Sequence, residues 1–161
     1  MKNKELVQSF PVAELARLAA EFVSEGKEVV IWAKGSSMKP LLRDGKDKII
    51  LSAFSEINIG DVVLYKRETG MYVIHRIVGM TPDGYELLGD YQTFTEKGIK
   101  KEQIIAKAVG YIRNGKELPI DSKAVLIYEK IWCNTLTFRK LYFFFYYRLA
   151  SLKREIFKNA R

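Results

Sequence analysis

The chain has 161 residues, a length that fits one domain with at most a small appendage, and its balance of 48% hydrophobic to 29% charged residues excludes a disordered polymer. One cysteine, Cys133, and one histidine, His75, exclude an internal disulfide, a cysteine-built zinc site and a multi-histidine metal centre. The net charge of +8 is uneven: residues 139–161 carry seven basic side chains and one acid, so most of the excess belongs to a tail whose partner is a separate question from what the body does.

Residues 1–14 contain lysines but no apolar core or cleavage site, so no secretory signal is expected there. Residues 11–24 predict a helix, with Pro11 suited to its first turn, Leu15, Leu18 and Phe22 as an apolar stripe, and Gly26 as C-cap. A strand-like run, residues 28–33, leads into Gly35-Ser36-Ser37-Met38-Lys39-Pro40. Gly35 lets the backbone turn without steric cost, and Pro40 keeps the segment out of a sheet interior. Ser37 is therefore expected on a tight strand-to-turn corner from which its hydroxyl projects.

Apolar runs follow at residues 48–51, 61–65, 71–78, 85–88 and 104–112. Thr81-Pro82-Asp83-Gly84 and Asn114-Gly115 are turn signals, and residues 89–98 read as a long polar loop. Short strands at this spacing predict a mainly β fold with flanking helices, a partly closed antiparallel β-barrel or sandwich. The division expected is a β domain with an N-terminal helix at 1–121 and a helical aromatic and basic tail at 122–161. In that tail Phe138, Tyr142, Phe145, Leu149, Leu152 and Ile156 recur at three- and four-residue spacing. Charges at Glu129, Lys130, Arg139, Lys140 and Arg148 interrupt every window that would span a bilayer, so the tail is expected to lie on a membrane surface or, alternatively, to pack on the domain or on a second copy of itself.

Three separated features carry chemistry. Ser37 offers a hydroxyl on its corner, and a serine becomes a nucleophile at neutral pH only with a base in reach. His75, in a run where Met71, Val73, His75 and Ile77 share a strand face, offers an imidazole that takes up and returns a proton. Asp90 and Glu96, in the polar loop, each offer a carboxylate to orient that imidazole.

In their order these features resemble the successive boxes of type I signal peptidases: Ser37-Met38-x-Pro40, then Gly60-Asp61-Val62-Val63, then His75 directly before Arg76-Ile77-Val78-Gly79, then Gly89-Asp90. The resemblance covers Gly35 to about Gly110. A histidine in place of the bacterial lysine makes the chain similar to the endoplasmic-reticulum and archaeal branch, whose fold is shared with self-cleaving repressors. It implies a membrane-bound serine endopeptidase that cleaves leader or signal peptides after small residues, without cofactor or metal. Carried over by position, Ser37 is the nucleophile, His75 the general base, and Asp90 or Glu96 the third member. The Ser37 backbone N–H is implied as part of the oxyanion hole, with Ser36 and Met38 beside the substrate. Where the family reads Gly-Asp-Asn this chain reads Gly89-Asp90-Tyr91, and no counterpart of the family's N-terminal membrane anchor is expected in residues 1–34. The expected location is membrane-associated at the interface, with the cytoplasm as alternative. The expected partners are a peptide or protein substrate and a lipid surface, with no nucleic acid and no oligomeric state implied. The alternative reading is a non-catalytic peptidase-like module that binds peptide or membrane.

Overall fold

The structure is a computed structural model, and it describes Lys4, Glu5, residues 12–133, and Arg139, Leu141, Tyr142, Phe145 and Arg148. Its frame is one sheet built from β1 (Lys4–Glu5), β2 (Val29–Trp32), β3 (Lys48–Ser52), β4 (Val62–Lys66), β5 (Tyr72–Thr81), β6 (Gly84–Leu88), β7 (Glu96–Ile99), β8 (Ile104–Arg113) and β9 (Lys116–Pro119). The strand order is β1-β2-β3-β8-β4-β5-β6-β7, with β9 paired to β8. Every ladder is antiparallel except β1 on β2. Among the described residues no ladder joins β1 to β7, so the mainly antiparallel β architecture is an open sheet.

The sheet is thick with apolar side chains on both faces, and β4 shows why. Val62, Val63, Leu64 and Tyr65 are all buried. Successive strand residues point to opposite faces, so Val62 and Leu64 enter one core and Val63 and Tyr65 the other. The first core is closed by α1 (Val12–Ser24), which sets Ala16, Ala19 and Val23 against the sheet with Leu18 and Phe22 half-buried at its sides. The centre of the buried face thus falls on small residues rather than on the predicted Leu-Phe stripe, since alanine lets a helix backbone approach closely. Pro11 and the side chain of Leu15 lie outside the described residues. Gly26 ends α1 in the left-handed region, and its N–H and that of Lys27 cap the carbonyls of Val23 and Phe22.

Two strand predictions shift. β5 continues to Thr81, so the β5–β6 hairpin turns on Pro82-Asp83. The polar loop predicted at 89–98 gives way at Glu96 to β7, whose Glu-Lys-Gly-Ile sequence lacks apolar alternation and forms by pairing with β6 at Tyr85↔Ile99 and Leu87↔Glu96. Glu96 is therefore held on a strand rather than on a loop tip. After β9, α2 (Lys123–Tyr128) and a turn of π-helix (Glu129–Cys133) follow, and Val125 is buried in the first core. Arg139, Leu141, Tyr142, Phe145 and Arg148 are helical; Phe138, Leu149, Leu152 and Ile156 of the predicted seam lie outside the described residues. No helix among the described residues is long and apolar enough to cross a membrane.

Candidate active site

The Ser37 corner is pinned at its start, its end and its middle. Where β2 stops, Ala33 N–H donates to Asp47 O and Gly45 N–H donates back to Ala33 O, so the outgoing chain is fixed to the incoming one. Gly35 takes φ +83°, a conformation that favours glycine, and its N–H donates to Asp44 Oδ1. Leu42 N–H donates to Met38 O at 2.8 Å, closing a helical turn just after Ser37, while Met38, Leu41 and Leu42 are buried beneath it. The third pin is Tyr91 N–H, which donates to Ser37 O at 2.7 Å. A Cβ on Gly89 would stand 2.7 Å from that same oxygen, so the 89–91 turn reaches the corner only because residue 89 has no side chain. Ser36 is exposed and Ser37 half-buried. Among the described residues, the N–H groups of Ser36, Ser37 and Met38 donate to no protein group and the Ser37 hydroxyl makes no hydrogen bond. Adjacent backbone N–H groups without a protein acceptor are able to bind an oxyanion.

His75 comes from β5, where it pairs with Val63 of β4 and points into the second core with Val73 and Ile77. Its ring is 1% exposed. Nδ1 lies 3.1 Å from the Tyr65 hydroxyl and 3.3 Å from Glu96 Oε1. Glu96 is gripped by Arg67 through two parallel bonds, Nε to Oε2 at 2.8 Å and Nη2 to Oε1. Arg67 is itself placed by the β4–β5 turn, its N–H donating to Met71 O and its carbonyl accepting from Gly70. The hydrogen bond to Nδ1 is the one with the Tyr65 hydroxyl; with that phenol giving its own hydrogen to Glu96, hydrogen on Nδ1 completes the chain and leaves the Nε2 lone pair as the basic site.

The electrostatics follow from burial. Desolvation pushes the imidazole down to about 4; Glu96 and Asp90 oppose that shift and Arg67 adds to it. Burial pushes the Glu96 carboxyl up, but hydrogen bonds from Arg67 and Tyr65, with His75 nearby, outweigh it and hold Glu96 below its ordinary value. The Tyr65 phenol is raised by burial and then by the Glu96 charge, so it stays protonated as a donor.

Asp90 lies elsewhere. Arg76, one residue after His75, projects to the opposite side of β5 and takes both Asp90 oxygens, Nε to Oδ1 and Nη2 to Oδ2, each at 3.0 Å. Tyr128 donates to Oδ2 at 2.9 Å, and Arg139 from the C-terminal segment donates to Asp90 O at 3.2 Å. Arg76 also donates to Gly60 O and to Glu129 Oε1. The carboxylate is committed to Arg76 and makes no hydrogen bond to the imidazole, so of the two expected candidates for the third position the structure brings Glu96, and not Asp90, to His75. Asp90 instead holds the 89–91 turn that carries Ser37 O. Sequence reasoning missed Tyr65 and Arg67. The signal for Tyr65 was available in the hairpin register, because Tyr65 and Val63 share the face of His75. Arg67 sat in a polar turn and carried no signal of its own.

Ser37 opens on an apolar pocket of about 140 Å³, walled by Ile31, Ala33, Met38, Leu42, Leu64 and Ile74. Along one side runs β5, which β6 covers only from Arg76 onward. Residues 72–75 therefore present an edge with no strand partner on that side among the described residues, directly beside the pocket. No hydrogen bond joins Ser37 to His75. No family model, curated protein or solved structure matches this chain.

Proposed function

We propose that the protein is a serine endopeptidase of signal-peptidase type, with Ser37 as nucleophile, His75 as general base and Glu96 orienting the imidazole. On this reading the open sheet is a signal-peptidase-type fold. The observation that carries the proposal is the pair of groups at His75 Nδ1, the Tyr65 hydroxyl at 3.1 Å and the Glu96 carboxylate at 3.3 Å, which supports a tautomer with Nε2 open for proton transfer. An extended peptide adds to the free edge of β5 at 72–75, the geometry of β-augmentation. Nε2 takes the Ser37 proton as Oγ attacks the carbonyl carbon. The free N–H groups of the corner stabilise the oxyanion, and Nε2–H then passes its proton to the leaving amine. Water, deprotonated by the same nitrogen, releases the acyl group. The mechanism requires the Ser37 hydroxyl to reach Nε2 in the substrate complex, where catalytic hydrogen bonds commonly tighten.

The C-terminal segment supports the interfacial part of the proposal. Leu126, Ile127, Ile131, Leu141, Tyr142 and Phe145 are each at least half exposed, alongside exposed Lys123, Lys130 and Arg148. Apolar side chains flanked by cations match an anionic lipid surface, to which each basic residue contributes about 1 kcal/mol. Vesicles of phosphatidylserine and phosphatidylcholine are expected to sediment the full-length protein at low salt, and failure to do so removes the membrane from the proposal.

The peptidase reading is tested by a fluorophosphonate probe followed by peptide mapping. Labelling on Ser37, lost in Ser37→Ala and strongly slowed in His75→Ala, is the expected result. The missing Ser37–His75 hydrogen bond favours one second reading, a non-catalytic peptide-binding module. It predicts peptide binding without labelling or cleavage.

A further inference from the structure

We infer that Arg139, from the C-terminal segment, is a positioning residue for the Ser37 corner: through two hydrogen-bonded peptide units it orients and polarises Met38 N–H as an oxyanion donor. The inference rests on the peptidase reading and adds to it a side chain that touches no reacting atom. The contacts run in one line. Arg139 Nη1 donates to Asp90 O at 3.2 Å. That carbonyl shares a peptide unit with Tyr91 N–H, which donates to Ser37 O at 2.7 Å. The Ser37 carbonyl in turn shares a peptide unit with Met38 N–H, which donates to no protein group among the described residues. Both units are planar and trans, so in each the N–H points away from the C=O. A donor seated on the first carbonyl therefore helps to fix the direction of the last N–H.

The polarity of the line has one sense. Each peptide unit is a dipole with its negative end at oxygen and its positive end at hydrogen. The guanidinium sits at the negative end of the first unit, and Met38 N–H is the positive end of the second. Hydrogen bonds in series polarise one another, more strongly where the dielectric is low. The line lies in such a setting: Arg139 is 3% and Asp90 1% exposed, and the Met38 side chain is buried. The first unit is kept from rotating by the Asp90 carboxylate, which takes Arg76 on both oxygens and Tyr128 on one. A donor strengthened in this way gains most when full negative charge develops on the substrate oxygen, in the transition state rather than in the bound substrate.

The experiment measures kcat and KM for a leader-type peptide with alanine before the cut, using the full-length protein and its Arg139→Lys, Arg139→Gln and Arg139→Leu variants. Active sites are counted with a fluorophosphonate, so that loss of folded protein is not read as loss of rate. In Arg139→Leu kcat is expected to fall about 3- to 10-fold with KM nearly unchanged, a fraction of the ~10²–10³-fold that outright loss of an oxyanion donor costs. Arg139→Gln, which keeps a donor without its charge, should fall between, and Arg139→Lys should restore most of the rate. Should the variants fail to fold, the amide proton of Met38 is followed in the wild-type protein, where a phosphonate adduct on Ser37 should move it downfield. Wild-type kcat in Arg139→Leu, a change confined to KM, equal losses in all three variants, or an unmoved Met38 resonance overturns the inference and, with Ser37 still labelled, leaves the peptidase reading intact. Absence of both cleavage and Ser37 labelling in the wild-type protein overturns the peptidase reading, and the inference with it.

Discussion

Two carboxylates flank β5, and each is held by an arginine through two bonds, yet they do different work. Asp90 is 1% exposed and gives both oxygens to Arg76, with Tyr128 added and Arg139 on its carbonyl. Glu96 is partly open and shares Oε1 between Arg67 and the imidazole of His75. The difference originates in strand geometry: His75 and Arg76 are neighbours in sequence and opposites across the sheet, so the two acids are drawn to opposite faces. A carboxylate engaged on both oxygens by Arg76 and Tyr128 holds a turn in place, and one with an oxygen facing an imidazole is placed to orient it under the proposed reading. Of the two, the Asp90 clamp is the one tied to Ser37, because it fixes the turn whose Tyr91 N–H holds the Ser37 carbonyl.

The largest effect that would break this comparison is expected from Glu96→Gln. The amide is nearly isosteric, but its NH₂ can donate to Nδ1 and stabilise the tautomer with hydrogen on Nε2, which removes the base. A loss of about 10³- to 10⁴-fold in kcat/KM is expected, and Asp90→Asn should show no comparable tautomer effect. If Glu96→Gln retains near-normal turnover, Glu96 does not orient the base and the contrast fails.

The clamp side should answer in stability. Asp90→Ala leaves the Arg76 guanidinium buried without its main partner, and removal of one member of a buried pair costs about 3–5 kcal/mol. Urea unfolding should show this as a lower midpoint. Glu96→Ala should cost less, since the Arg67 side chain is 29% exposed and water can replace the lost acceptor.

The next effect is a pH dependence of roughly 3 kcal/mol. His75 has a folded pKa of about 4 against an ordinary 6.5. Between those values the unfolded chain binds more protons than the folded one. Stability is therefore complete above about pH 6.5 and falls as the pH drops toward 4. His75 is the sole histidine, so its imidazole carbon resonance can be followed alone. A titration midpoint near 4, and an acid limb of kcat/KM at the same pH, are expected. A midpoint near 6.5 would mean that water reaches the ring and that the apolar setting is wrong. His75→Gln should flatten the stability slope, while Asp90→Asn should keep it, separating the two faces.

Much of the fold was legible because its strands are apolar runs with turn residues between them. The Asn114-Gly115 turn shows the limit of clarity: φ of 51° and 75° at those residues make the predicted two-residue hairpin, linking Arg113 to Lys116. β7 was not legible, because a strand whose only deeply buried residue is Ile99 has no pattern of its own and exists through its partner β6. The site was legible as a list of residue types and not as an arrangement. Spacing placed Ser37, His75, Asp90 and Glu96 in order along the chain. Which acid serves the imidazole depends on which lone pairs the arginines occupy, and that is a property of tertiary pairing. The sequence likewise marked Ser37 as a cornered hydroxyl, but the need for glycine at 89 arises only from a backbone oxygen 52 positions away, at 2.7 Å from an imagined Cβ.

The smallest effect sharpens the orienting side. Tyr65 is fully buried, with its hydroxyl 3.1 Å from His75 Nδ1 and beside Glu96. If Glu96 sets the tautomer, Tyr65 is its assistant: the phenol donates to the carboxylate and keeps it ionised. Tyr65→Phe removes that donor without changing the ring volume, and Arg67 still satisfies the carboxylate, so no buried acceptor is orphaned. A cost of about 1 kcal/mol follows, the net worth of one hydrogen bond, and activity should fall by less than about tenfold. The sign of the accompanying shift is fixed. Glu96 lies below its ordinary value partly because Tyr65 donates to it, so in Tyr65→Phe its pKa rises and its charge is lost at a higher pH as the solution is acidified. Carboxyl carbon resonances of Glu96 in the two proteins read this directly. A drop in activity as large as that of Glu96→Gln would instead assign the imidazole to the phenol, and the division of labour between the two carboxylates would have to be redrawn around Tyr65.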